Sequence, residues 1–520
     1  MPKGRVALFR QIFVITSGVL KEEFTGKRGF CATKARLRPG NRDSFIHDML
    51  FKLDPILELL IYFMLVFSVW AFGTTEAWSL RVMFQCSLGL CVFLVFDLAS
   101  SVYGIFAHRR KRIAFPWELV ALNIAFLVYT WLSIWNARAI YDYSTGAFIY
   151  LPHLAWLPAT YDLQASQNSL RIYFGLTVFF WTVRGWILRS PFDSTDCPEC
   201  FSRGYQLPAR LSRLITVIVV NGAALALEAI IQRSSNTSKL LWLVEPRIHK
   251  EAISQFGPYA YRSNAAQYLN MIWPVAVSVA WVCWKRSQIT QTRRFGFKMF
   301  VPLGLASIAG VIISVSRGSI LAMGIMMGGL LFYISRWSKS WSGKRIILPG
   351  LSVLLVLGLL SWIVLPQLVQ RLADTPEAST MVRKTMYESA FQMAKEYPFF
   401  GTGPGSFEVL FQLYRKSDKE FWPAQLHNDW MEYFITWGGV GLLISVTMFI
   451  RALWGTKKKE ACFYLKPCLS NGLLISIGGC LLQAIYDFPL QIYSIQLLFV
   501  GLCAIASVLT VDKAKAISDQ

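Results

Sequence analysis

Acidic charge is scarce in this chain: 30 Asp and Glu stand against 52 Lys and Arg, and all four types make up only 16% of 520 residues. With 54% apolar and 15% aromatic residues and a mean hydropathy of +0.43, that low charged fraction excludes a soluble enzyme of this size. It reads as a polytopic membrane protein. A formal charge of +22 would suggest nucleic acid in a soluble chain. Here the basic residues lie mostly in short connections between apolar runs, a topology signal, and nucleic acid is not expected as a partner. The sequence also has no repeat of fixed period, no low-complexity tract and no small-x-small cleavage site after its basic start. Residues 1–53 therefore read as a retained cytoplasmic leader, not a cleaved signal peptide.

Several chemistries lack their residues as well. Gly401-Thr402-Gly403-Pro404-Gly405-Ser406-Phe407 looks like a phosphate-cradling loop, but it lacks the Lys-Ser/Thr that ends a P-loop, and its glycines suit a tight turn with positive φ. There is no Asp-x-Asp and no convincing metal constellation, so neither a metal nor any other cofactor is expected. Half of the ten cysteines (Cys86, Cys91, Cys283, Cys480, Cys503) sit inside apolar runs, and none lies in a loop assigned to the outer side. A disulfide framework is not expected. Cys197-Pro198-Glu199-Cys200 has metal-like or redox-like spacing, yet no second pair or nearby His completes a site, and it reads as an incidental cytoplasmic loop.

What is present is a series of apolar windows long enough to cross a hydrocarbon core of about 30 Å. They fall near 55–73, 82–106, 116–136, 170–188, 212–232, 264–284, 298–316, 318–335, 346–365, 431–453, 468–486 and 489–510. The expected fold is an all-α integral membrane protein of about twelve transmembrane helices, because backbone groups in lipid must bond within their own segment. With the N-terminus cytoplasmic, roughly two-thirds of the Lys and Arg fall inside; the reverse orientation inverts that bias. Arg184 lies within a span, where it is costly unless it snorkels. The organisation expected is a basic leader (1–53), the first part of the bundle (54–365), a large periplasmic loop with short helices (366–430), the last part of the bundle (431–510) and a cytoplasmic tail (511–520). The run from Phe300 to Ile334 is too long for one span and should fold back at Ser316-Arg317-Gly318-Ser319. In the long loop, Met381, Met386, Ala390 and Met393 have helical spacing over Thr380–Glu396, with Asp374-Thr375-Pro376-Glu377 as its start.

Three side chains on the outer face carry the candidate chemistry. Arg317, surrounded by Ser316, Gly318 and Ser319, has room to meet a ligand, and its planar fork suits phosphate oxygens. Arg262 lies where an outer loop enters a span, and two such arginines on one face could clamp a diphosphate. His427 is the only His of the long loop and stands beside Asn428, Asp429 and Glu432. A neutral imidazole there can take a proton from a hydroxyl, and a carboxylate can orient it. Asp487, in the turn between the last two spans, either faces the site or caps the following helix.

In these residues the chain resembles the O-antigen ligase and O-antigen polymerase superfamily of bacterial membrane glycosyltransferases. The likeness runs from about residue 210 to 495. It rests on Phe256-Gly257-Pro258-Tyr259 followed by Arg262 and Asn264, on Ser316-Arg317-Gly318, on Arg383 through Phe407, and on His427-Asn428-Asp429 with Glu432, Trp437, Gly438 and Gly441. Where relatives often have Asn-Arg-Asn-His, this chain has Ala260-Tyr261-Arg262-Ser263-Asn264-Ala265 and lacks that second imidazole. The resemblance implies metal-independent, inverting transfer of a glycan from undecaprenyl diphosphate to an acceptor hydroxyl, on the periplasmic face of a bacterial inner membrane. The acceptor would be a glycan, a lipid A core or a protein. His427, Arg317 and Arg262 would be catalytic, and Arg383, Asn264, Asn428, Asp429 and Glu432 would bind substrate. A transporter or flippase of lipid-linked sugars is the competing class; it calls for inverted repeats, which are not seen, and midplane ionisable residues, of which Asp97, Arg184 and Glu228 are scattered examples.

Overall fold

The computed structural model describes residues 42–106, 116–189, 199–200, 203–247, 250–291, 295–337, 376–415, 424–454, 463–464 and 467–510. The chain separates into two units, Met1–Phe51 and Lys52–Gln520. Of the first, residues 42–51 are described, and they are helical.

The rest is mostly helix: α1 (Arg42–Trp70), α2 (Ala77–Phe106), α3 (Trp117–Trp135), α4 (Leu163–Leu188), α5 (Ala209–Ser234), α6 (Arg262–Thr290), α7 (Phe295–Ile313), α8 (Arg317–Trp337), α9 (Pro376–Glu396), α10 (Phe407–Leu410), α11 (Asp429–Trp454), α12 (Pro467–Gln483) and α13 (Tyr493–Ala506). Among the described residues, 7 helices are long and apolar enough to cross a membrane: α1, α2, α3, α5, α6, α7 and α11. Shorter apolar stretches lie in α8, α12 and α13, and α4 has the length but less apolarity. The chain is an integral membrane protein by this pattern. The window at 346–365 lies outside the described residues, as do Asp374 and most of the leader.

Two short β pairs correct the all-α expectation. Ala139–Asp142 pairs antiparallel with Ala147–Tyr150 across a turn at Tyr143–Gly146, and Phe463–Tyr464 pairs with Leu509–Thr510. The first is a hairpin whose turn is clamped by Asp142, which accepts from the Ser144 and Thr145 hydroxyls at 2.7 and 2.8 Å. Those bonds pull the Asp142 carboxyl down to about 2.

The main core is built around α6, which packs against α5, α7, α8, α12 and α13. Of its apolar window, 83% is buried, although its hydropathy is the lowest of the seven. A helix enclosed by protein needs no lipid-compatible face, so Asn264, Gln267 and Asn270 are buried in it without meeting hydrocarbon. Arg184 is likewise buried and does not snorkel; it donates to the Ser507 carbonyl at 2.7 Å. Cys86, Cys91, Cys283, Cys480 and Cys503 are free thiols. Cys200 is disulfide-bonded, which corrects the expectation of an uncross-linked, incidental loop there.

A second, smaller core gathers Met386, Ala390 and Met393 of α9, Phe407 and Leu410 of α10, Phe411, Leu426, Ile435 of α11, and Ala139 and Tyr161 beside the hairpin. The spacing of the α9 residues puts them on one face, and that face is the buried one. The described parts of the loop, 376–415 and 424–428, thus pack against one end of α11.

Candidate active site

Helix α6 begins at Arg262, and its first turns present Ser263 and Gln267 one helical turn apart on one face. Both reach the same carboxylate. Asp487 Oδ2, in the turn between α12 and α13, accepts from the Ser263 hydroxyl in a short bond and from Gln267 Nε2 at 2.7 Å. Its other oxygen, Oδ1, accepts from the Phe488 N–H at 3.1 Å and faces His427 Nδ1 at 3.3 Å. Asp487 is buried, and His427 is about a quarter exposed. An ionised carboxylate only accepts, so in this contact Nδ1 carries the hydrogen and Nε2 is the ring nitrogen that can accept a proton.

His427 is held in an uncommon backbone state, with φ +58°. Tyr387 of α9 donates to its carbonyl at 3.1 Å, and its ring stands edge-on to Phe488 at 4.8 Å and to Tyr261 at 6.2 Å. The residues after it anchor this turn. Asn428 Oδ1 accepts from Met431 N at 3.0 Å and so caps α11. Asp429 Oδ2 accepts from Leu490 N at 2.7 Å, tying α11 to the Asp487 turn, and Glu432 Oε2 accepts from Leu426 N at 2.8 Å. Asp429 and Glu432 are both buried. In this state they bond backbone that positions His427.

The Ser-Arg-Gly turn arrives from the other side. The long run does break between α7 and α8, but at Ser314–Ser316, with Val315 at φ +55°; Arg317, Gly318 and Ser319, expected in the turn, already belong to α8. Arg317, the first residue of α8, is exposed and has no hydrogen-bond or ion-pair partner among the described residues. Gly318 leaves room for the Tyr486 ring, which a Cβ would meet at 2.6 Å, and Tyr486 Oη donates to the Gly318 carbonyl at 2.8 Å. Ser316 donates to Ser263 at 3.1 Å, so the residues beside Arg317 and Arg262 are in contact. Arg262 itself donates to the Ile253 carbonyl at 2.7 Å, and Arg383 Nη1 reaches the Tyr486 carbonyl at 3.5 Å. Asn264 is buried one turn into α6, its Oδ1 without a partner among the described residues.

Charges of both signs meet around Tyr261. Burial and then Asp487 push its phenol up, while Arg383 and Arg262 pull it down. Those four residues therefore share one electrostatic neighbourhood. Tyr486 is pushed up to about 12 by burial and by Asp487.

The glycine stretch serves the scaffold. Helix α11 breaks at Gly438, with φ +64° and ψ −176°, and the chain at 398–403 fills the break. Thr402 and Gly403 donate to the Ile435 and Thr436 carbonyls at 2.9 and 3.0 Å, and Gly439 donates to the Pro398 carbonyl at 2.8 Å. A Cβ on Gly438 would stand 2.2 Å from the Phe399 oxygen.

Residues 302–446 match the family model for O-antigen ligase. That stretch, a little over a quarter of the chain, holds Arg317, Arg383 and the His427–Glu432 turn; Arg262, Asn264 and Asp487 lie outside it. The match supports the resemblance to the O-antigen ligase and polymerase superfamily and, at family level, a membrane glycosyltransferase of O-antigen ligase type. No curated protein matches the chain.

Asp487 stood open in the sequence between a cap and a site residue, and in the structure it faces His427. Ser263, Gln267, Tyr261 and Phe488 were not singled out. The available signal was the polar start of this span, where Ser263 and Gln267 lie one turn apart beside Asn264 and Asn270.

Proposed function

We propose that this O-antigen ligase-like protein transfers a glycan from undecaprenyl diphosphate to an acceptor hydroxyl, inverting the anomeric carbon, at the periplasmic face of a bacterial inner membrane. The reading is carried by one observation: the turns bearing Arg262, Arg317 and His427 converge on Asp487 and Ser263. Arg317 is exposed and without a partner among the described residues, so its planar donors are available to phosphate oxygens. Arg262 and Arg383 add positive charge in the same neighbourhood.

In the reaction, the acceptor oxygen attacks the anomeric carbon as its proton passes to His427 Nε2. The bond from that carbon to the phosphate oxygen breaks, and the electron pair leaves with the polyprenyl diphosphate. Asp487 holds the imidazole by Nδ1 and stabilises the imidazolium that forms, while the guanidinium groups stabilise charge on the departing diphosphate. Asn264 and the cap around Asn428, Asp429 and Glu432 shape the substrate side. No metal takes part.

The test supplies the purified full-length protein with a polyprenyl-diphosphate glycan and candidate acceptors (lipid A core, a second lipid-linked glycan, a protein) in detergent with EDTA. Formation of a new glycosidic bond, lost in folded His427→Ala and Arg317→Ala, is the expected result. Transfer undiminished in both variants overturns the site. Transfer that stops in EDTA and returns with a divalent cation overturns the metal-free mechanism. Movement of the lipid-linked sugar across vesicles without bond formation favours a flippase.

A further inference from the structure

Behind Asp487 lies a chain of buried polar side chains that the transfer chemistry does not use. Trp273 Nε1 of α6 donates to Asn270 Oδ1 at 3.3 Å, and Asn270 Nδ2 faces Gln483 Oε1 of α12 at 3.3 Å. Gln483 Nε2 donates to Ser319 Oγ of α8 at 2.6 Å. Ser319 Oγ is 2.9 Å from Ser316 Oγ, Ser316 donates to Ser263 at 3.1 Å, and Ser263 donates to Asp487 Oδ2. Every member is buried.

The direction of this chain is forced from both ends. An indole N–H only donates, so Asn270 must turn its oxygen to Trp273 and its NH2 away. That NH2 also meets the Ser319 carbonyl at 2.9 Å, which only accepts, so the same orientation is required twice. Gln483 then accepts with its oxygen and donates with its nitrogen. Each serine has one hydrogen. Ser319, having accepted from Gln483, donates to Ser316, which donates to Ser263, which donates to the carboxylate. At the far end Asp487 only accepts, which demands the same sense. Polarised in series, such bonds strengthen one another and fix a unique arrangement of the groups they join.

Resting on the glycosyl-transfer reading above, we propose that this one-way relay is the positioning device of the site. Ser263, Ser316, Ser319 and Gln483 aim Asp487, and through it the His427 ring, so that Nδ1 is held and Nε2 points to the acceptor. They are positioning residues and touch no substrate. Because Ser316 adjoins Arg317 and Ser263 adjoins Arg262, the same relay ties the setting of the base to the two turns that carry the diphosphate-binding arginines.

The experiment measures release of polyprenyl diphosphate from a lipid-linked glycan, with each candidate acceptor in turn (lipid A core, a second lipid-linked glycan, a protein), by full-length protein in detergent. Ser316→Ala cuts the relay in the middle and leaves Arg317, Asp487 and His427 in place. It should lower kcat roughly ten- to a hundredfold with KM for the donor unchanged. Ser316→Thr should restore most of the rate. Asp487→Asn should cost more, and the double variant Ser316→Ala/Asp487→Asn no more than Asp487→Asn alone, since groups acting as a unit are not additive. Gln483→Leu, at the start of the serine chain, should reproduce the kcat loss and stands in if Ser316→Ala does not fold. Multiplying losses in the double variant, a rise in KM alone, or wild-type rates in both Ser316→Ala and Gln483→Leu would overturn the relay. A wild-type protein that releases no diphosphate would instead remove the transfer reading, and the relay with it.

Discussion

Two stretches of the loop at 366–430, one reading in sequence as a tight glycine turn and the other as candidate chemistry, commit their polar groups differently in the structure. In the glycine stretch at 401–405, Thr402 and Gly403 donate to the open carbonyls of the α11 break, and Tyr129 adds a hydroxyl 2.8 Å from the Phe400 and Trp437 carbonyls. The His427 turn spends one ring nitrogen on Asp487 and keeps the other, and close by Arg317 is exposed with no partner among the described residues. A motif whose donors go to neighbouring backbone reads as scaffold, whereas an oriented group with an uncommitted ring nitrogen is what the proposed site needs. Glycine-rich or histidine-bearing composition does not tell them apart, because both need unusual backbone geometry: Gly403 at φ +98° and His427 at φ +58°.

The sharpest way to break that contrast is to exchange the expected phenotypes. His427→Ala should lower transfer by about a thousandfold, the scale of a lost general base, and leave thermal stability close to wild type. Gly438→Ala should do the reverse. Its φ and ψ are open to glycine alone, and the added Cβ would run into the Phe399 carbonyl, so the loss is about 3 kcal/mol of stability, read by thermal unfolding in detergent. The fraction that remains folded should keep its kcat. A Gly438→Ala protein of normal stability with lost turnover would return the glycine stretch to the site.

Much of this division was legible beforehand, where local pattern decides. The α9 helix follows from the spacing of Met386, Ala390 and Met393, and the break between α7 and α8 from a run too long to span. The hairpin at Ala139–Tyr150 was missed because its residues are aromatic and suit a membrane interface as well as a strand. Asp487 could not be assigned because its partners come from α6, more than two hundred residues away in sequence. Hydropathy reports apolar length, whereas this site is made by polar side chains on the enclosed α6. The low hydropathy of α6 and its Asn264, Gln267 and Asn270 mark it as the enclosed span, but they do not say which carboxylate it meets.

A smaller test sharpens the anion side of the comparison. Arg317→Lys keeps the charge and discards the planar fork, so kcat/KM for the lipid-linked donor should fall about tenfold, near 1.4 kcal/mol. Stability should change little, because the exposed guanidinium makes no hydrogen bond or ion pair among the described residues that could be lost. An Arg317→Lys protein as active as wild type would mean that the position supplies charge alone and that a two-point grip on phosphate belongs elsewhere.

The smallest expected effect separates scaffold from site within the His427 turn itself. Asn428 caps α11 through Met431 N, and it was also expected to bind substrate. The two roles predict different variants. If the cap is its whole contribution, Asn428→Ala costs about 1 kcal/mol of stability with kcat and KM unchanged, and Asn428→Asp, an equally good cap, restores the stability. If the amide also meets a glycan hydroxyl, Asn428→Asp keeps the fold but raises KM, since the carboxylate has lost the NH2 donor. The cap geometry favours the first outcome, because Oδ1 is already committed to the helix. Thermal unfolding and donor and acceptor KM, measured on the same two variants, decide whether the boundary between scaffold and site runs between His427 and Asn428 or after both.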